Sequence, residues 1–130
     1  MKTIRIFSIA LVISLISIAN NPAEAVNKKT TETEIKVLGN CGMCKERIEN
    51  AAYSVKGVRR ANWDEQSKML TLVYRNDRTE QETIERAIAK AGHDTENIIT
   101  DEETHANLHH CCIYPRNAEW LENNKRYDEE

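Results

Sequence analysis

An α+β fold running strand, helix, strand, strand, helix, strand is what this sequence predicts, and three observations carry it. Residues 34–38, EIKVL, alternate polar and apolar side chains. Ile48, Ala52 and Val55 recur at i, i+4 and i+7. Two further strand-like runs, residues 58–63 and 69–74, the second of them alternating, flank the polar turn DEQSK. Period-two alternation marks half-buried strands, and the i, i+4, i+7 spacing marks one buried face of a helix.

Taken in order, the first strand places Ile35 and Val37 on one face. The helix over residues 45–55 follows and stops at Gly57, since glycine ends helices readily. Residues 58–63 and 69–74 then form a hairpin, with Trp63 as packing and Leu70, Leu72 and Tyr74 sharing a face. Arg59 and Arg60 fall on a solvated strand edge. Thr79 is placed to cap a second helix, with Glu82 completing a capping box. Ile84, Ala87, Ile88 and Ala91 line that helix up to Gly92. A fourth strand over residues 94–99 completes a ferredoxin-like βαββαβ sandwich. It is weak, because Asp, Glu and Asn are poor strand residues and only Ile98 and Ile99 favour one. Thr100 and Glu103 form a second capping box, opening a helix expected to run to about Cys112, short of Pro115.

The two ends lie outside this sandwich. Lys2 and Arg5, an uncharged apolar run over residues 6–19, and Ala23-Glu24-Ala25 have the form of a signal peptide cut after Ala25. The run is shorter than the roughly 20 residues of a membrane span. The expected organisation is a signal peptide at 1–25, a flexible lead-in at 26–33, a domain at 34–99, a Cys/His-rich helical extension at 100–116 and a polar tail at 117–130. The product is then secreted or periplasmic, with no membrane attachment after cleavage. A formal net charge of −3 without basic clusters excludes a nucleic-acid binder.

The chemistry lies in four cysteines, Cys41, Cys44, Cys111 and Cys112. One CxxC and one adjacent pair look like clustered ligands rather than staples spread along a chain. Thiolates are soft donors that favour Cu(I), Zn(II), Cd(II) or Hg(II). At a strand-to-helix turn, the free N–H groups of the helix start stabilise a thiolate. Two thiols suit linear coordination of Cu(I) or Hg(II), whereas structural zinc usually takes four ligands. Two other uses of the pair stay open: a structural disulfide, which an exported setting permits, and thioredoxin-like redox chemistry. Against the latter, the CxxC follows the first strand directly and no proline is placed for a cis-proline loop.

The stretch VLGNCGMC at 37–44, with the amphipathic helix, the hairpin and AIAKAGHD at 87–94, resembles the heavy-metal-associated (HMA) domain family. Copper chaperones, the N-termini of metal-pumping ATPases and the periplasmic mercury-binding protein share that domain. The resemblance spans residues 34–99 and implies the βαββαβ fold with Cys41 and Cys44 as metal ligands. The family usually has Gly-Met-Thr before its first cysteine; here Asn40 alone follows Gly39, and Met43 sits between the thiols. His93 stands near the metal loop in the family's arrangement, so it is a candidate to tune or join the site.

The resemblance does not reach THANLHHCCIYP at 104–115. On a continuous helix His105, Leu108, His109 and Cys112 would share one face, and His at i and i+4 can chelate one ion. His105, His109, Cys111 and Cys112 are therefore candidate additional ligands. Packing is the alternative, since buried cysteine often behaves as a small apolar residue. So is a disulfide from Cys41 or Cys44 to Cys111 or Cys112 that would pin the extension over the loop. A disulfide between the adjacent pair would be strained.

The sequence thus points to an exported, non-enzymatic protein that sequesters or transfers a soft metal. Cu(I) is the first candidate, with Zn(II), Cd(II) and Hg(II) behind it. Its partner would be a metal-transporting ATPase or another metal chaperone. A thiol-disulfide oxidoreductase and a disulfide-stapled interaction module are the alternatives.

Overall fold

A computed structural model describes residues 29–128; the expected signal segment lies outside them. An antiparallel three-stranded sheet, ordered β1-β3-β2, carries two helices. β1 is Thr30–Lys36, α1 Gly42–Ser54, β2 Val58–Trp63, β3 Met69–Arg75 and α2 Gln81–Lys90. The α+β sandwich read from the sequence is present. Its core joins Ile35, Val37, Leu70, Leu72 and Trp63 from the sheet side to Ile48, Ala52, Ile84 and Ile88 from the helices. Trp63 is fully buried and donates its indole N–H to the Val37 carbonyl at 3.0 Å. The one polar atom of that ring is thus satisfied inside the core.

Three local expectations need correction first. β1 begins at Thr30, inside the expected lead-in: Thr30, Thr31, Glu32 and Thr33 pair with Arg75, Tyr74, Val73 and Leu72. The threonines are β-branched, so this polar stretch is good strand material once β3 offers a partner. The capping boxes also fail as drawn. Glu80, not Thr79, precedes α2 and no side chain caps it. Asp101, not Thr100, caps α3 (Glu102–Ala106), its carboxylate accepting from the Thr104 N–H at 2.8 Å.

The fourth strand is cut down to a single antiparallel bridge between Val37 and Thr95, beside a Leu38 N–H to Asp94 carbonyl bond of 2.8 Å. Thr95 stops the ladder. Its N–H and hydroxyl both donate to the Ile98 carbonyl, and its hydroxyl accepts from the Ile98 N–H. A side chain engaged this way closes a turn and draws the chain out of the sheet. Ile98 and Ile99 form β4, which pairs in parallel with β5, Lys125–Arg126. The expected polar tail is therefore structured in part: α4 (Ala118–Asn123) leads into β5, which lies alongside the domain.

The extension departs most. The helix expected to reach Cys112 ends at Ala106, and a 3-10 turn at His110–Cys112 follows after a break. Asn107, a poor helix-interior residue, closes α3. Leu108 then seats on Gly92, whose φ is +104°, and a Cβ at residue 92 would lie 2.5 Å from a Leu108 methyl. Gly92→Ala is accordingly expected to cost about 2 kcal/mol, combining left-handed strain with overpacking; urea denaturation measures it.

Candidate metal centre

Cys41 is the N-cap of α1, in extended conformation (φ −150°, ψ 174°), and Cys44 lies in the first turn. Their sulfurs stand 3.5 Å apart. Cys44 is fully buried and accepts the Asn40 N–H at 3.2 Å. Gly39 is what allows this: a Cβ there would meet the Cys44 Cβ at 2.9 Å and the Trp63 ring at 3.2 Å. Glycine ahead of the loop lets the first turn of α1 sit directly on the core.

The 3-10 turn brings the other two thiols to the same place. Cys111 Sγ is 3.3 Å from Cys41 Sγ across a separation of 70 residues. Cys112 Sγ is 3.9 Å from both Cys41 and Cys111. All four thiols are free. Cys41, Cys111 and Cys112 form a group whose sulfurs could share one ion. Cys111 also contacts the Met43 thioether at 3.6 Å and His109 Nδ1 at 3.3 Å.

The candidate histidines divide. His109 reaches Cys111, although not by the helical route expected, and its ring lies 4.1 Å from that of His110. His105 does not share a face with His109 and Cys112, because the helix carrying it has ended. It is buried edge-on against Tyr114, with ring centroids 4.5 Å apart. His93 is fully buried with Nδ1 2.9 Å from the Leu38 carbonyl. A carbonyl only accepts, so Nδ1 carries the proton and Nε2 is bare, without a hydrogen-bond partner. Burial, only partly offset by the Leu38 bond, lowers the His93 pKa to about 4, so the ring is neutral at pH 7. It supports the loop backbone, and no sulfur is among its hydrogen-bond partners.

Residues the sequence did not single out hold the extension in place. Asn40 Nδ2 donates to the Ile113 carbonyl at 3.0 Å. Tyr114 Oη donates to the Gly92 carbonyl at 3.1 Å and accepts the Asp94 N–H at 2.7 Å. Arg116 makes a two-pronged pair with Asp94, at 2.7 and 2.8 Å, and donates to the Thr100 carbonyl. The run Ile113-Tyr114-Pro115-Arg116 after the cysteines was the available signal, but nothing in it specifies the partner.

The thiols are unequal. Burial tends to raise the Cys41 pKa, but hydrogen bonds from the Cys44 and Met43 backbone N–H groups and from the Cys111 and Cys44 thiols bring it down to about 7. The bond to Cys41 raises Cys111, and burial raises Cys112. Cys41 is therefore more acidic than Cys111 and Cys112, and it lies at the start of a 13-residue helix, where the free N–H groups favour negative charge. The thiolate is the reactive form, so Cys41 should react with iodoacetamide increasingly from pH 6 to 8 and then level off. Cys111 should lag until more alkaline pH. Mass spectrometry of the alkylated peptides checks the order.

No protein-family model and no curated relative matches the chain. Among solved structures, the CopZ metallochaperone is similar at 24% identity and a TM-score of 0.49, over 50% of this chain and 98% of that one. Oxidized MerP from Ralstonia metallidurans matches at 21% identity and a TM-score of 0.49, over 51% and 93%. The Cu(I)-loaded N-terminal domain of a potential copper-translocating P-type ATPase from Bacillus subtilis matches at 24% and 0.49, over 51% and 84%. About half of this chain is thus spanned by proteins of this kind, and the sulfur geometry carries the chemistry.

Proposed function

We propose that the protein binds a soft metal ion, Cu(I) first, through the CxxC thiols Cys41 and Cys44, and hands it on by thiolate exchange. The carrying observation is the convergence of four free thiols from two distant segments on a helix N-terminus. Sulfur-only donors select soft ions over oxygen-loving ones. Cys41 is half exposed at the rim while Cys44 is buried, so an incoming thiolate has one sulfur to approach first. Carriage of this kind makes and breaks only metal–sulfur bonds and is not enzymatic. Zn(II), Cd(II) and Hg(II) are the competing cargoes. The route is export behind the 1–25 signal peptide, with a metal-transporting ATPase or a second chaperone as donor or acceptor.

Titrating the reduced, anaerobic protein against a chromogenic Cu(I) chelator tests this. The protein is expected to withhold about one equivalent, and the Cys41→Ser, Cys44→Ser double variant none. Retention of full affinity by the double variant would remove the CxxC from the site. A thiol-disulfide oxidoreductase is the second reading, favoured by the acidic Cys41 beside three thiols. Reduction of insulin disulfides by the protein, at a rate lost in Cys41→Ser, would select it.

A further inference from the structure

The cysteines of the extension do more than sit near the loop. We infer that the resting cargo ion is held by three thiolates, Cys41, Cys111 and Cys112, in trigonal coordination, leaving Cys44 as the spare thiol for hand-over. The inference rests on the soft-metal reading and changes its resting ligands: Cys44 of the CxxC pair joins the ion only at hand-over.

Sulfur spacings decide between the alternatives. With metal–thiolate bonds of about 2.3 Å, a linear pair stands about 4.6 Å apart and a trigonal set about 4.0 Å apart. The Cys41–Cys112 and Cys111–Cys112 separations are both 3.9 Å. Only the 3.3 Å Cys41–Cys111 edge must open, and Cys111 is half-buried on a short turn. A linear Cys41–Cys44 site would instead have to widen from 3.5 Å. Cys44 is held close to its present place: it is fully buried, bonded to the Asn40 N–H, and its Cβ packs against the Gly39 backbone.

The extension is held at the place this geometry requires. Asn40 ties the loop itself to the Ile113 carbonyl one residue past Cys112, and Tyr114 and Arg116 fix the following turn to Gly92, Asp94 and Thr100. Around Cys111, Met43 Sδ and His109 Nδ1 offer further soft or borderline donors. Three thiolates on a monovalent ion leave an excess of negative charge, which the free N–H groups at the start of α1 offset.

Hand-over is then a ligand exchange without change in oxidation state. The bond from the ion to Cys112 Sγ breaks as a bond to Cys44 Sγ forms, and the proton leaving Cys44 is taken up by Cys112. The bond to Cys111 Sγ breaks next, as an incoming thiol ligates the ion and passes its proton to Cys111, so the ion leaves the extension on the CxxC pair and the incoming sulfur.

X-ray absorption fine structure of the reduced full chain loaded with one equivalent of Cu(I) tests the inference. Three sulfur neighbours are expected in the wild type and two in both Cys111→Ser and Cys112→Ser. The wild-type count decides even if burial makes Cys112→Ser fold poorly, and Cys111, at the surface, supplies the second variant. Two sulfurs in the wild type, unchanged in Cys111→Ser, would overturn the three-thiolate site while leaving the CxxC clamp standing. Failure of the wild type to retain Cu(I) at all would overturn both.

Discussion

Arg116→Met is expected to cost about 3–5 kcal/mol of folding stability, the usual consequence of removing one partner of a buried ion pair. The Arg116 side chain is 5% exposed and Asp94 is fully buried, with the guanidinium spread across both carboxylate oxygens. Methionine fills much of the same volume but leaves the Asp94 carboxylate, which accepts from the Thr100 N–H, in the interior without its cation. The exposed Glu102, 2.9 Å from the other guanidinium nitrogen, adds little. Asp94→Asn together with Arg116→Met should recover part of the loss, because the amide no longer buries a charge while still accepting from Thr100. Urea denaturation of the four proteins in a double-mutant cycle reads the coupling. Purely additive losses would mean that the pair does not lock the extension to the domain.

For metal binding the largest single effect is expected at Cys41. Structural zinc sites gain about 10–16 kcal/mol from four ligands, so losing one ligand costs roughly 3 kcal/mol, about a hundredfold in affinity. Cys41→Ser should reach or exceed that for Cu(I). Its sulfur lies within 4 Å of each of the other three, at 3.5, 3.3 and 3.9 Å. With its pKa lowered to about 7, it also binds with less proton release than Cys111 or Cys112. Cys112, raised by burial, must give up its proton to ligate, and its replacement should cost less. Chelator competition ranks the variants; equal losses for Cys41→Ser and Cys112→Ser would deny Cys41 its central place.

The sandwich was legible because its signals are periodic and local. Ile35, Val37, Leu70 and Leu72 alternate, Ile48 and Ala52 recur at helical spacing, and all are buried as those periods require. The CxxC at a strand-to-helix turn was legible for the same reason: one short motif fixes both the thiols and the helix start beneath them. The extension was not. A capping box and a favourable i, i+4, i+7 pattern argue for one long helix, but tertiary contacts prevail. Leu108 docks on Gly92, Tyr114 bonds to Gly92 and Asp94, and Arg116 finds a buried carboxylate 22 residues away. None of these partners is written in the local pattern. His105 and His93 were chosen as candidate ligands by residue type alone, and both are buried around Tyr114 instead. Cys111, Cys112 and His109 do reach the loop, through a 3-10 turn that no helical wheel displays.

The soft-metal account turns on whether the thiols are reduced and ligate. Alkylation footprinting of the reduced protein, with and without one equivalent of Cu(I), reads this thiol by thiol. Protection of Cys41 on adding the ion, with Cys111 slowed alongside it and total protein still folded, is the result predicted. Cys41 alkylated at the same rate with and without Cu(I) would contradict a metal centre here.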